Sequence, residues 1–136
     1  MRNRKVWELG VHPQLRMERF LPTGAGAHGL YPSREARVMY FSNRMAGAIS
    51  VLGFATGNVV KTWRLPGPAS PDIGGLSADG RALWLSGRYN SVVYVINTRT
   101  GRLRAEIHVG NGPHGLCVWP WPQPGRYCLG HTGILR

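Results

Sequence analysis

The sequence predicts an all-β fold built from four-stranded antiparallel units, and three observations carry this prediction. Apolar and polar residues alternate in short segments that end at glycine- or proline-containing turns, which is the pattern of strands. No segment keeps the helical period near 3.6 residues. One unit recurs 44 residues further on, because residues 38–43 align with 82–87 and Thr56-Gly57 aligns with Thr100-Gly101. A period of about 40–45 residues with four strands per copy is the signature of a β-propeller blade.

The clearest copy of the unit lies in residues 91–116. Residues 92–97 form a strand pattern with few polar side chains, and Thr100-Gly101 supplies a tight turn in which glycine accepts a positive φ. Residues 103–109 then alternate apolar with mostly charged side chains, which predicts one buried and one solvated face. A Gly-Pro-His-Gly turn at residues 112–115 leads into the first strand of the next copy, predicted at residues 114–118.

The alignment predicts a single partial propeller domain over residues 1–136. Its parts are the outer strands of a blade in residues 1–23, complete blades in residues 24–67 and 68–110, and the inner strands of a blade in residues 111–136. Propellers usually have about four to eight blades, so three blades' worth of strands would leave apolar faces and strand edges open. We therefore expect an incomplete β-propeller, either truncated from a larger one or a homo-oligomer in which another chain completes the ring.

In residues 92–118, VVYVINTRTGRLRAEIHVGNGPHGLCV, a strand, a Thr-Gly turn, a second strand and a Gly-x-x-Pro-x-Gly turn follow one another. This segment resembles the repeat of the YVTN/YncE-like β-propeller family, with Asn97 where the family often has Asp. The resemblance extends over roughly residues 15–136 and implies the C-terminal part of a propeller that commonly has seven blades. It also implies export, but the basic residues 1–5 are not followed by the apolar core of a signal peptide, so the compartment stays open.

The chain is strongly basic, with 17 Lys and Arg against 6 Asp and Glu and a formal net charge of +11. Such an excess is typical of proteins that bind nucleic acid or acidic surfaces. The arginines are nevertheless dispersed over turns and outward strand positions, which favours solubility over a defined site. Nucleic-acid binding is therefore the weaker alternative. No apolar run approaches the roughly 20 residues of a membrane helix, and we expect no membrane partner.

Two segments, Gly24–Gly29 and Gly110–Gly115, fit the G-x-G-x-x-G fingerprint of dinucleotide sites. That fingerprint works only between a strand and a helix whose N-terminus meets the pyrophosphate. Neither segment is followed by a helical pattern, and both recur at the start of a predicted blade. The sequence therefore predicts blade-entry turns and no cofactor.

Two histidines and one aspartate at these blade-entry turns are the best candidate ligands. The first strand of each blade lines the central channel of a propeller, so His28 and His114 should converge near one mouth. In the intervening copy Gly74 is the matching residue, and Asp72 lies close by. Imidazoles and a carboxylate there would bind a metal or an anion. In the alternative, each histidine bonds a backbone carbonyl or lines a wet channel; His131 is interpreted as a turn residue.

Enzymatic motifs are scarce, so whether the protein is an enzyme stays open, with a non-catalytic role favoured. Neither a G-x-S-x-G nucleophile elbow nor a zinc-type Cys/His spacing is present. Asp72 and Asp79 are the only aspartates, so paired acid/base chemistry lacks groups. The sequence favours a propeller module that binds a protein or small ligand, with a metal or anion site as the alternative. Cys117 and Cys128 are predicted either as buried free thiols or as a cross-strand disulfide.

Overall fold

The computed structural model describes residues 5–10, 16–118, 127–129 and 133–135. Apart from one 3-10 turn at Arg44–Ala46, all the regular structure there is β. The strands are β1 (Lys5–Gly10), β2 (Arg16–Pro22), β3 (Ala27–Pro32), β4 (Val38–Asn43), β5 (Ala48–Gly53), β6 (Asn58–Arg64), β7 (Pro71–Leu76), β8 (Ala82–Gly87), β9 (Val92–Asn97), β10 (Leu103–His108), β11 (Tyr127–Leu129) and β12 (Gly133–Leu135). No helix formed by these residues is long and apolar enough to cross a membrane.

Eight of the strands form two four-stranded sheets, each a meander in chain order. Blade A has the order β3-β4-β5-β6, and blade B has the order β7-β8-β9-β10, with every neighbouring pair antiparallel. The pairs β1-β2 and β11-β12 form separate two-stranded antiparallel sheets. The predicted all-β fold of four-stranded antiparallel blades is therefore confirmed, while the predicted domain limits stay a prediction.

The predicted strand bounds agree closely with β4, β8 and β9 because the 44-residue repeat fixed them twice. Gly57 and Gly101 both adopt a positive φ, +62° and +74°, at the turns the repeat identified. Residues 114–118 differ, since they form no strand. The expected neighbour of that segment, β11, is instead paired with β12. Which strands pair is decided by the three-dimensional packing, and the period of the sequence alone does not reveal it.

The core lies between the two blades. Side chains of both blades form one buried cluster that includes Ile49 of β5 and Leu83, Leu85 and Ile96 of blade B, each fully buried. Burial of such side chains contributes about 1.5–3 kcal/mol each and is the main force that holds one sheet on the other. The β1-β2 hairpin adds a smaller cluster on blade A, in which Leu21 packs with residues of β4 and β5.

Polar contacts fix the position of one blade relative to the next. The backbone N–H of Gly74 in blade B donates to the hydroxyl of Tyr31 in blade A at 2.8 Å. Arg34, in the turn between β3 and β4, donates to the carbonyl oxygen of Leu76 at 2.7 Å. Because buried polar groups without partners are costly, these bonds select one mutual position of the two sheets.

We expect Gly74→Ala to destabilise the protein by about 1–3 kcal/mol, the usual cost of overpacking a core position. A Cβ at Gly74 would lie 1.8 Å from the carbonyl oxygen of Trp84 on the paired strand, and backbone cannot move aside as a side chain would. Urea denaturation followed by circular dichroism measures the change in the free energy of unfolding. Gly110→Ala is the matched control, because a Cβ there meets nothing within 4 Å. Equal effects of the two substitutions would contradict the close approach.

Because Tyr94 is buried, we expect the protein to lose stability at alkaline pH. Burial raises the pKa of Tyr94 above its usual value of 10.0, so the folded state holds the hydroxyl proton more tightly than the unfolded state. The resulting stabilisation is complete below the unfolded pKa, near 10, and is lost as the pH rises through the folded pKa. In urea titrations, Tyr94→Phe should reduce the pH dependence of the free energy of unfolding above pH 10. An unchanged slope in the variant would contradict this assignment.

Candidate functional site

A β-bulge at the start of the first strand positions a side chain in each blade. In β3 the register shifts between Ala27 and Leu30, and in β7 it shifts between Pro71 and Gly74. His28 lies within the first bulge and Asp72 within the second. Bulges bend a strand and redirect the side chain they carry, which is how both functional groups leave the regular alternation of their strands.

The hydrogen-bond register corrects the sequence alignment at this point. Leu30 is paired with Phe41 and Gly74 is paired with Leu85, so Leu30 and Gly74 occupy equivalent positions 44 residues apart. His28 is therefore equivalent to Asp72, and the predicted match of His28 with Gly74 is wrong. The error arose because the glycines of the two turns were aligned instead of the strands. Both blades thus place a candidate ligand at the same point of the repeat.

The structure brings together the three residues predicted as ligands. His28 Nε2 lies 3.1 Å from Asp72 Oδ1, and His114 Nε2 lies 3.8 Å from Asp72 Oδ2. The two imidazole rings are 6.3 Å apart and inclined by 55°. One ligand atom from each residue lies within 4.8 Å of the others. His114 reaches the site from the segment that follows β10, so the site combines both blades and the chain that leaves them.

The site is asymmetric in its burial. The Asp72 side chain is 0% exposed, whereas the side chains of His28 and His114 are 35% and 49% exposed. Asp72 Oδ2 is buried and accepts no hydrogen bond from the described residues. An ionised carboxylate in such a place is costly unless it is paired, so the cations around it decide whether it is tolerated. The Asp72 carboxylate therefore lies at the buried end of the site, and the two imidazoles line its solvent-facing end.

Arg44 is a part of the site that the sequence analysis missed. Its Nη1 lies 3.3 Å from Asp72 Oδ1, and its Nε is buried without an acceptor among the described residues. Its guanidinium carbon is 5.5 Å from the ring centre of Tyr89, an aromatic side chain at the exposed end of blade B. A signal existed in the sequence, because Arg88 follows β8 at the equivalent position and also contacts Tyr89. The repeat thus places an arginine after the second strand of each blade.

Buried serines hold both bulges in place. The N–H of Gly29 donates to Ser42 Oγ at 2.8 Å, and Ser42 Oγ donates to the carbonyl oxygen of Asp72 at 2.7 Å. In blade B, the equivalent Ser86 bonds the N–H and the carbonyl oxygen of Ile73. Neither serine lies in a G-x-S-x-G nucleophile elbow. They instead satisfy the backbone groups that a bulge leaves without ladder partners.

The remaining candidates fall outside this site or outside the described residues. Gly24–Gly29 overlaps the start of β3, and residues 116–118 after Gly110–Gly115 have no regular structure, so neither segment starts a helix. The Cys117 side chain is exposed, which corrects the expectation of a buried thiol, because residues 114–118 are not enclosed in a sheet. His131 and the side chain of Cys128 lie outside the described residues.

Comparison with known proteins identifies relatives by sequence profile and by fold. The profile of a family described as YNCE-like beta-propeller matches residues 6–123. The fold is similar to Kuenenia stuttgartiensis hydrazine synthase, with a TM-score of 0.68 and 16% identity over 84% of this chain and 32% of that one. It is also similar to Citrobacter koseri AztD, with 0.64 and 13% over 82% and 31%, and to U3-55K, with 0.67 and 10% over 86% and 37%. No curated protein sequence matches significantly.

These similarities are informative about architecture. At 10–16% identity they show a common fold and leave the chemistry to be argued from the site itself. The chain spans about a third of the length of these structures, 31–37%.

A double-mutant cycle on Arg44→Gln and Asp72→Asn should reveal coupling of about 0.5–3 kcal/mol in the free energy of unfolding. Each single substitution leaves its partner buried without its counter-charge, so the double variant should lose less stability than the sum of the two. Urea denaturation of the four proteins provides the measurement. Arg88→Gln combined with Asp72→Asn is the control and should be additive. Additivity in the Arg44 cycle would mean that the ion pair does not contribute to folding.

Proposed function

Because the chain belongs to the family of YncE-like β-propellers, we propose that it is a non-catalytic binding module whose ligand is a divalent transition-metal ion. The ion would be held at the channel mouth by His28, Asp72 and His114. The observation that carries the proposal is that three donor atoms lie within 4.8 Å of one another, and one of them is an oxygen of a buried carboxylate.

The donor set favours a transition metal over the alkaline-earth ions. Two imidazole nitrogens and one carboxylate oxygen suit Zn²⁺ and similar ions, whereas Mg²⁺ and Ca²⁺ prefer oxygen ligands alone. Zinc ligands at about 2.0–2.2 Å from the ion lie roughly 3.3–3.6 Å from one another in a tetrahedron. The three donor atoms lie within 4.8 Å of one another, so side-chain movements of about 1 Å would bring them to that spacing.

The buried carboxylate of Asp72 also supports a metal ion as the ligand. Asp72 Oδ1 is near Arg44 and His28, while Oδ2 accepts no hydrogen bond from the described residues. A metal ion on Oδ2 would supply the missing partner, and Arg44 on Oδ1 would orient the carboxylate as an outer-shell group. In this arrangement all three ionisable groups act as ligands, so none is left to serve as a general base.

The two other binding roles have weaker support. An anion bound directly by the histidines would meet the Asp72 carboxylate at the centre of the same site, which repels it. For nucleic acid, several arginines of the basic surface are already engaged within the protein. Arg19 bonds Glu8 and the carbonyl oxygen of Gly57, Arg34 bonds blade B, and Arg44 bonds Asp72. The net charge of +11 therefore overstates the cations available to phosphates.

Isothermal titration with Zn²⁺ and visible spectroscopy with Co²⁺ test the proposal. We expect one ion per chain, and weakening of the affinity by more than about 10-fold in His28→Ala and in His114→Ala, since even outer-shell losses cost 10–100-fold. His108→Ala is the matched control, because His108 lies exposed on β10, outside the metal-ligand cluster. Failure to bind a stoichiometric ion, or equal weakening in the control, would overturn the metal site.

A further inference from the structure

Arg44 poses a question that a bare metal ion leaves unanswered. Its Nη1 contacts Asp72, but its Nε–H is buried and finds no acceptor among the described residues. Asp72 Oδ2, on the same ion pair, is a buried acceptor that lacks a donor there. One hydrogen-bond acceptor on Asp72 and one hydrogen-bond donor on Arg44 thus lack partners among the described residues. Native proteins rarely leave buried polar groups unsatisfied, so we expect a water, an ion or a ligand group at these two atoms.

The charges at the site lead to the same conclusion. With a divalent ion bound, the single negative charge of Asp72 faces two positive charges on the ion and one on Arg44. Both are close to the carboxylate, since Arg44 Nη1 is 3.3 Å from Oδ1. An uncompensated excess of positive charge in a partly buried site is unfavourable, and an anion removes it. The charge of the bound ion, rather than the net charge of the protein, therefore determines which further ligand the site binds.

The coordination of the ion provides the place for such an anion. His28, Asp72 and His114 offer three ligand atoms, and a four-coordinate ion with three protein ligands keeps one position for an exogenous group. The partial exposure of both histidines leaves that position accessible from solvent. The guanidinium of Arg44 is planar and bonds carboxylates particularly well, because its donors match the spacing of their two oxygens.

We propose that the site binds its metal ion together with a carboxylate anion, which takes the fourth position and is paired by Arg44. This inference rests on the proposed metal-binding function and identifies the class of ligand that binds with the ion. The carboxylate belongs either to a free small molecule or to a peptide, and the chemistry at Arg44 is the same for both. Binding of ion and anion is then mutually reinforcing, since each removes charge that opposes the other.

The test compares the affinity for Co²⁺ with and without acetate, using nitrate at equal ionic strength as the reference. In the wild-type chain, acetate should raise the apparent Co²⁺ affinity by about 5–150-fold, the usual range of coupling between two sites. It should also shift the visible bands of bound Co²⁺. Both effects should disappear in Arg44→Gln and persist in Arg88→Gln, the equivalent arginine on blade B, whose guanidinium contacts Tyr89.

Two further measurements keep the outcome decisive. Arg44→Lys retains the positive charge without the planar donor set, and it should bind Co²⁺ while losing most of the acetate effect. A short peptide with a free C-terminal carboxylate, compared with its amide, separates the sources. Stronger coupling than acetate indicates a peptide ligand, and coupling equal to acetate indicates a small molecule.

Three results would count against the inference, each in a different way. Co²⁺ affinity that is the same in acetate and nitrate would overturn the anion while the metal site stands. An acetate effect that survives in Arg44→Gln would overturn the role of Arg44. If the free amino acid glycine binds without any metal ion, its ammonium group rather than a metal pairs with Asp72, and both proposals would then fall.

Discussion

The two hydrogen bonds of Ser42 Oγ are the contacts on which the site depends. One holds the bulge of its own blade at Gly29, and the other holds the backbone of Asp72 in the next blade. A single buried hydroxyl therefore fixes both bulges relative to each other, and with them the His28 and Asp72 side chains. Because Ser42 is itself fully buried, its bonds are made in a low-dielectric setting where losing a partner is costly.

The apolar core between the blades and the polar cluster at their end have different roles. The core supplies most of the stability through burial of side chains such as Ile49 and Leu83. The ion pair of Arg44 with Asp72 adds less, because the desolvation of two charges offsets most of their attraction. It instead gives the buried Asp72 carboxylate a cationic partner, which a purely apolar interface would not offer.

The repeat explains how a small chain builds a site from several segments. Equivalent bulges in β3 and β7 place His28 and Asp72 side by side, because the first strands of the two blades lie against each other. The same equivalence places the guanidinium carbons of Arg44 and Arg88 at 5.5 and 6.0 Å from the ring centre of Tyr89. One blade can therefore provide a ligand while the next provides its counter-charge. A single blade lacks this partner, so the cluster of His28, Arg44 and Asp72 forms only where two blades meet.

The sequence by itself determined the blades and the candidate ligands. Strands β4, β8 and β9 and the glycines of the turns were predictable because alternation and a 44-residue repeat are both visible in the sequence. His28, Asp72 and His114 were recognisable because the blade-entry turns recur. The 44-residue offset also relates His28 to Asp72, and the strand register agrees with it. Tertiary structure alone decided two other points: the contact of Arg44 with Asp72, and the exposed segment that carries Cys117 and forms no strand. Each depends on which strands pair and which side chains meet across blades, and such contacts join residues 30 and 43 positions apart, which neither alternation nor a repeat reveals.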